Sequence, residues 1–117
     1  MKKLLLTASL LLSLAPFAHT AEKEDQCPDK ASLRSALAEH QSDIEGGKGF
    51  TFADAASRIW LAQEFDTQNY QSKGLRFEDI LNLPFLYLGS TRGTKSICSV
   101  TFNKENYTML SVKLYQQ

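Results

Sequence analysis

The residues with the most chemistry to offer are two thiols. Cys27 and Cys98 are the only cysteines of the 117-residue chain. A dithiol redox couple usually shows Cys-x-x-Cys spacing, which is absent. A zinc site needs more ligands than this chain supplies. An even number of cysteines in an oxidising compartment pairs, so a Cys27–Cys98 disulfide is expected. It closes a loop of about 70 residues, worth about 4 kcal/mol in the chain-entropy model.

Other candidate groups have blander readings. His40 lies between Leu37 and Ile44 on an apolar helical stripe, where a histidine is more often a hydrogen-bonded packing residue than a base. No serine carries a nucleophile-elbow signature, and no Cys–His pair is free once the disulfide forms. Glu64 with Asp66, and Glu78 with Asp79, are carboxylate neighbours. Glycosidase chemistry needs two carboxylates across a cleft, so these read as solvated acids. Gly46-Gly47-Lys48-Gly49 lacks the spacing and hydroxyl residue of a P-loop. Asp66-Thr67-Gln68-Asn69-Tyr70 lacks the glycine and closing glutamate of a calcium loop. Asn106-Tyr107-Thr108 fits a glycosylation sequon but reads as chance in a hairpin. No catalytic residue, metal or cofactor is expected.

The compartment follows from the N-terminus. Met1-Lys2-Lys3 is basic, Leu4 to Ala15 is small and apolar, Pro16 breaks the run, and Phe17 to Ala21 leads into charged Glu22-Lys23-Glu24-Asp25. That order is a secretory signal peptide, with cleavage placed after Ala21. The alternative is a retained anchor, but the apolar run is about a dozen residues against the roughly 20 a spanning helix needs. Asp25-Gln26 before Cys27 argues against lipidation. The expected organisation is a signal at 1–21 and one disulfide-linked domain at 22–117, periplasmic or secreted, with no membrane attachment after cleavage. The chain has 13 basic and 13 acidic residues, and loss of Lys2 and Lys3 leaves a formal charge of −2. No basic cluster survives for nucleic acid or anionic lipid.

The elements that hold these residues are read from periodicity. Pro28 to Ile44 has a helical stripe of Leu33, Leu37, His40 and Ile44, ended by the glycines at 46–49. Phe50 to Phe52 reads as extended and Arg58 to Phe65 as a strand with Ile59, Leu61 and Phe65 on one side, although the segment also has helical features. Asp66 to Gly74 is loop-like, Phe77 to Leu81 a single helical turn, Phe85 to Leu88 an apolar strand, and Ser90 to Thr94 a turn. Lys95 to Asn103 and Tyr107 to Tyr115 are the clearest strands, joined by a hairpin. The fold class is α+β: an N-terminal helix on one face of an antiparallel sheet of about four strands, ending in a β-meander.

Strand phase leads to function. Cys98, Val100 and Phe102 share one face, as do Leu110, Val112 and Leu114. If these point inward, Cys98 meets the helix that follows Cys27. Trp60, Phe85, Tyr87, Tyr107, Met109 and Tyr115 then fall on the opposite face as an aromatic surface. The plainer alternative is that the loop from Asp66 to Arg76, or the Phe50 segment, covers them as a second small core, since large exposed apolar patches are uncommon on monomers. As a surface, they suit a binding module with Trp60 as anchor and Arg92 as a polar contact. The partner would be a protein or a glycan, and an inhibitor of an envelope or host enzyme fits the setting. A structural accessory of an envelope or secretion assembly and a small cell-wall-active enzyme are the alternatives.

Cys27-Pro28 after the signal, Phe50-Thr51-Phe52, Ile59-Trp60, Phe77 and Cys98 in the penultimate strand together resemble a family of small exported bacterial proteins of unknown function. The resemblance implies an exported, disulfide-linked domain and carries over no catalytic residue.

Overall fold

A computed structural model describes residues 26–117. The expected signal at 1–21 and the polar lead before Gln26 lie outside the described residues. The chain forms α1 (Lys30–Glu39), α2 (Gln41–Glu45), β1 (Phe50–Ala53), β2 (Ile59–Asp66), α3 (Gln68–Ser72), α4 (Phe77–Leu81), β3 (Phe85–Arg92), β4 (Lys95–Lys104) and β5 (Tyr107–Gln116). The strands make one antiparallel sheet in the order β1-β2-β5-β4-β3. The fold is α+β with a C-terminal meander, as the sequence implies, with five strands rather than four because Phe50–Ala53 pairs fully with β2.

Asp29 starts α1. Its carboxylate accepts from the Ser32 amide at 2.9 Å and from the Ala55 amide at 2.8 Å, so one side chain caps the helix and ties it to the β1–β2 loop. These bonds, led by the Ala55 amide, hold the Asp29 carboxyl below its ordinary value. Leu33, Ala36 and Leu37 bury the inner face. The continuous helix expected to Ile44 is instead broken at His40 (φ −108°, ψ 27°), after which α2 begins. No proline or glycine marks the break. The His40 ring stacks on Phe50 with centroids 4.0 Å apart, and Nδ1 lies 2.8 Å from the Asp43 carboxylate. His40 is thus a packing residue, as its position suggests.

Register fixes the core. Cross-strand rows run Phe50–Ala62–Leu114–Cys98–Gly89, then Val112–Val100–Tyr87, then Leu110–Phe102–Phe85. Their large apolar side chains face the helices and are buried, Tyr87 partly. The Cys27–Cys98 disulfide forms in this layer, with the Cα atoms 5.9 Å apart, and joins the segment before α1 to the sheet interior. Arg34 adds a polar tie between α1 and the end of α4, donating to the carbonyl of Leu81 at 2.9 Å and that of Leu83 at 3.5 Å.

The loop between β1 and β2 is built around a buried carboxylate. Asp54 accepts from the Ala56 and Arg58 amides at 2.9 Å each, from Arg58 Nε at 2.8 Å and from Trp60 Nε1 at 2.9 Å. Burial opposes its ionisation, but the bonds from Trp60 and Arg58 outweigh that and keep the carboxyl below its ordinary value. Arg58 also donates to the Cys27 carbonyl at 3.0 Å, linking the loop to the disulfide.

Candidate interaction face

Among the described residues, the helices cover one face of the sheet and leave the other open. Positions on the open face alternate with the buried rows. One row is Thr51–Leu61–Tyr115–Ile97–Ser90, the next Gln63–Lys113–Ser99–Leu88, and the third ends Ser111–Thr101–Leu86. The serines, threonines and lysine suit water. The aliphatic residues do not: Leu86 is 68% exposed, Leu88 75% and Ile59 44%, with Ile97 and Leu61 half-buried between neighbours. An antiparallel sheet that meets water on one side normally shows a polar face there. Leucines on consecutive outward positions of one strand are therefore the unusual feature.

A shallow depression of about 310 Å³ lies among Leu88, Ser90, Arg92, Ile97, Lys113 and Tyr115. Tyr115 donates its hydroxyl proton to the Glu64 carboxylate. That bond, then burial, then the Glu64 charge raise the phenol above its ordinary pKa and keep it a donor. Lys113 Nζ is 4.0 Å from Glu64, and Arg92 is exposed at the end of β3. The rim therefore carries two cations, one shared with an acid that Tyr115 already engages.

This face is not the one expected from the sequence. Trp60 is fully buried, Phe85 is 4% exposed and Met109 1%. Trp60 and Phe85 belong to the rows under the helices, and Met109 is the extra residue where the β4–β5 register shifts. Tyr87 is half-buried on the core side, and its hydroxyl donates to the Pro28 carbonyl at 2.7 Å. Burial, followed by the charge of Asp29, raises its pKa well above the ordinary tyrosine value. Tyr107, 48% exposed, sits at the hairpin tip with Lys73 Nζ 4.3 Å from its ring centroid. Of the seven expected contact residues, only Tyr115 and Arg92 lie on the open face. The plainer alternative, that these residues are covered, holds for Trp60, Phe85 and Met109, but they join the main core rather than a second one. The Phe50 and Tyr70 side chains do reach that core from the two segments named as covers.

The physical cause is the β3 phase. Phe85-Leu86-Tyr87-Leu88 is apolar at every position, so alternation within it carries no phase. The turn carries it. Arg92 pairs with Lys95 across only Gly93-Thr94, with Gly93 at φ +65°, and this places Phe85 opposite Phe102 and Tyr87 opposite Val100. A turn spread over Ser90 to Thr94 loses that register. In β2, Ile59 and Leu61 do share a side, but a bulge between Gln63 and Asp66, with Glu64 at φ 57°, turns Phe65 back to stack on Phe50 at 5.9 Å.

Two other concavities are polar. A cleft of about 460 Å³ between the α1–α2 segment and residues 70–81 contains Glu45, Tyr70, Arg76 and Glu78. Glu45 accepts from Tyr70 at 2.9 Å and Gln41 at 3.1 Å, and Arg76 pairs with Glu78. A groove of about 440 Å³ lies between α1 and β1, lined by Ser32, Ser35, Glu39, His40, Thr51 and Phe52. The remaining carboxylates noted in the sequence have local partners or positions: Asp66 accepts from the Gln68 amide at 3.1 Å, and Glu78 and Asp79 lie in the first turn of α4. Among the described residues, no helix is long and apolar enough to cross a membrane.

No family model matches the chain, and no match was found among curated proteins or among solved structures.

Proposed function

We propose that this chain is an exported binding domain that acts through protein–protein contact, using the open face of its sheet. The observation that carries the reading is the pair Leu86 and Leu88, 68% and 75% exposed on a face that no helix covers among the described residues. Interfaces have an apolar centre and a polar rim. Here Ile97, Leu88 and Tyr115 supply the centre, and Arg92 and Lys113 the rim. The fitting partner is a protein that presents an aliphatic patch flanked by carboxylates. The buried disulfide supports an oxidising compartment, in line with the signal read from the first residues. A glycan platform needs exposed stacked rings. With Trp60 and Phe85 in the core, that form of the idea loses its basis.

The test is a site-specific photo-crosslinker placed at position 97, 115 or 107, with the protein exported in its source cells. Positions 97 and 115 are expected to give the same adduct of defined mass, and position 107, off the face, none. Adducts from 107 alone, or from no position in either envelope or medium, would sink the proposal.

A further inference from the structure

The two edges of the sheet are protected unequally. β1 is four residues long, and β3 is eight. β3 pairs with β4 without a bulge from Phe85 to Arg92. It contains no lysine and no internal proline, the usual devices that discourage edge pairing. The two-residue turn makes Arg92 and Lys95 a hydrogen-bonded pair. By alternation Ser90, Leu88 and Leu86 also bond to β4, and Phe85, Tyr87, Gly89 and Thr91 turn their backbone N–H and C=O groups to the open side. The outward leucines then occupy the positions at which cross-strand side chains come closest in a new strand pair.

We propose that β3 pairs antiparallel with β3 of a second copy, about a two-fold axis at Leu88, to give a continuous ten-stranded sheet. The edge is self-complementary in this register. Leu88 meets its own copy, Leu86 meets Ser90, and Tyr87 lies across from Gly89 in both directions. An aromatic ring beside a cross-strand glycine fills the space the glycine leaves. Charge agrees with the register. Arg92, the one charged residue of β3, comes level with Pro84. Lys30 and Arg34 lie over Phe85, with Lys30 Nζ 5.3 Å and Arg34 Cζ 4.7 Å from its ring centroid, so the two-fold carries the partner's pair to the far end of the strand. The pairing is isologous and closes on itself. It uses up the long edges and leaves only the short β1 edges outside. Two strands of this length with their leucines make an interface at the small end of the specific range, below roughly 1,200 Å² in total, so the dimer is reversible and concentration-dependent.

Sedimentation of the oxidised, processed protein tests this. Apparent mass is expected to double with rising concentration in the wild type and to stay monomeric in Leu88→Lys. Leu88→Cys supplies an independent readout that does not depend on that variant. Across a non-hydrogen-bonded pair the Cα atoms are about 4.5 Å apart, within disulfide reach. Mild oxidation is therefore expected to link two copies through position 88, and Ile59→Cys, on the same face but at the far side of the sheet, to stay unlinked. A wild type that remains monomeric, a dimer that survives Leu88→Lys, or linkage through 59 and not 88 would each overturn the proposal. A monomer that still forms the adduct from position 97 leaves the binding role intact and removes only the dimer.

Discussion

The two faces of the sheet are made by the same strands and differ in what holds them. Under the helices, Trp60, Ala62, Cys98, Val100, Phe102, Leu110, Val112 and Leu114 are all at most 1% exposed. On the other side, one residue along each strand, Leu86 and Leu88 are mostly in water. A period of two separates the faces except at the bulges near Glu64 and Met109. Removal of a side chain from the first face leaves a cavity or an orphaned polar group, and removal from the second leaves water where water already was. The fold is held by one face and by the bonded loop around Asp54, so side chains on the other face can change with little cost to stability.

Substitutions that break the contrast should scale with it. The largest effect is expected for Trp60→Ala, which opens a cavity and strips Asp54 of the indole donor, a loss of about 4 kcal/mol or more by chemical denaturation. Trp60→Phe keeps most of the volume and isolates the lost hydrogen bond, at about 2 kcal/mol. Next is the disulfide. Its reduction, or Cys27→Ala with Cys98→Ala, is expected to cost about 4 kcal/mol at most and less if the unfolded chain retains structure.

Asp54 and Asp29 predict the pH dependence. Both carboxyls lie below their ordinary value of 3.8 in the folded state. The stability they contribute is therefore present above about pH 4 and is lost as pH falls through their folded values. Unfolding free energy is expected to drop on acidification below that point. Asp54→Asn should flatten the slope and cost about 2 kcal/mol at neutral pH, because it weakens charge-assisted bonds in a buried site. A slope unchanged in Asp54→Asn would assign the acid sensitivity elsewhere.

Smaller effects sharpen the same comparison. Tyr87→Phe removes the bond to the Pro28 carbonyl and is expected to cost about 1 kcal/mol. Leu88→Ser, on the open face, should change stability by no more than about 0.5 kcal/mol. If Leu88→Ser destabilised as much as Tyr87→Phe, the open face would have a structural role and the contrast would fail.

Much of this was legible in the sequence where local chemistry decides. The inward phase of Cys98-Ser99-Val100-Thr101-Phe102 and of Leu110 to Leu114 was readable because polar residues alternate with apolar ones. The α4 turn and the disulfide followed from composition and spacing. The inward side of Trp60 is set by the long-range pairing of β2 with the last residues of β5, which local alternation does not report, although its donor partner Asp54 is only six residues away. The break at His40 depends on a ring from β1, which no helical pattern reports. The β3 phase was recoverable from the short Gly93-Thr94 turn. Leu86 and Leu88 carry no outward signature of their own, because Phe85-Leu86-Tyr87-Leu88 is apolar on both sides of the strand.

A partner seated on the open face is tested most directly by one adduct yield. With the photo-crosslinker at position 97, the yield is measured for the otherwise wild-type chain and for Arg92→Glu with Lys113→Glu. Both side chains are exposed on the rim, so their reversal leaves the core untouched. Loss of the adduct, with an unchanged denaturation midpoint, is the expected result. An adduct of equal yield after reversal of both charges would contradict it.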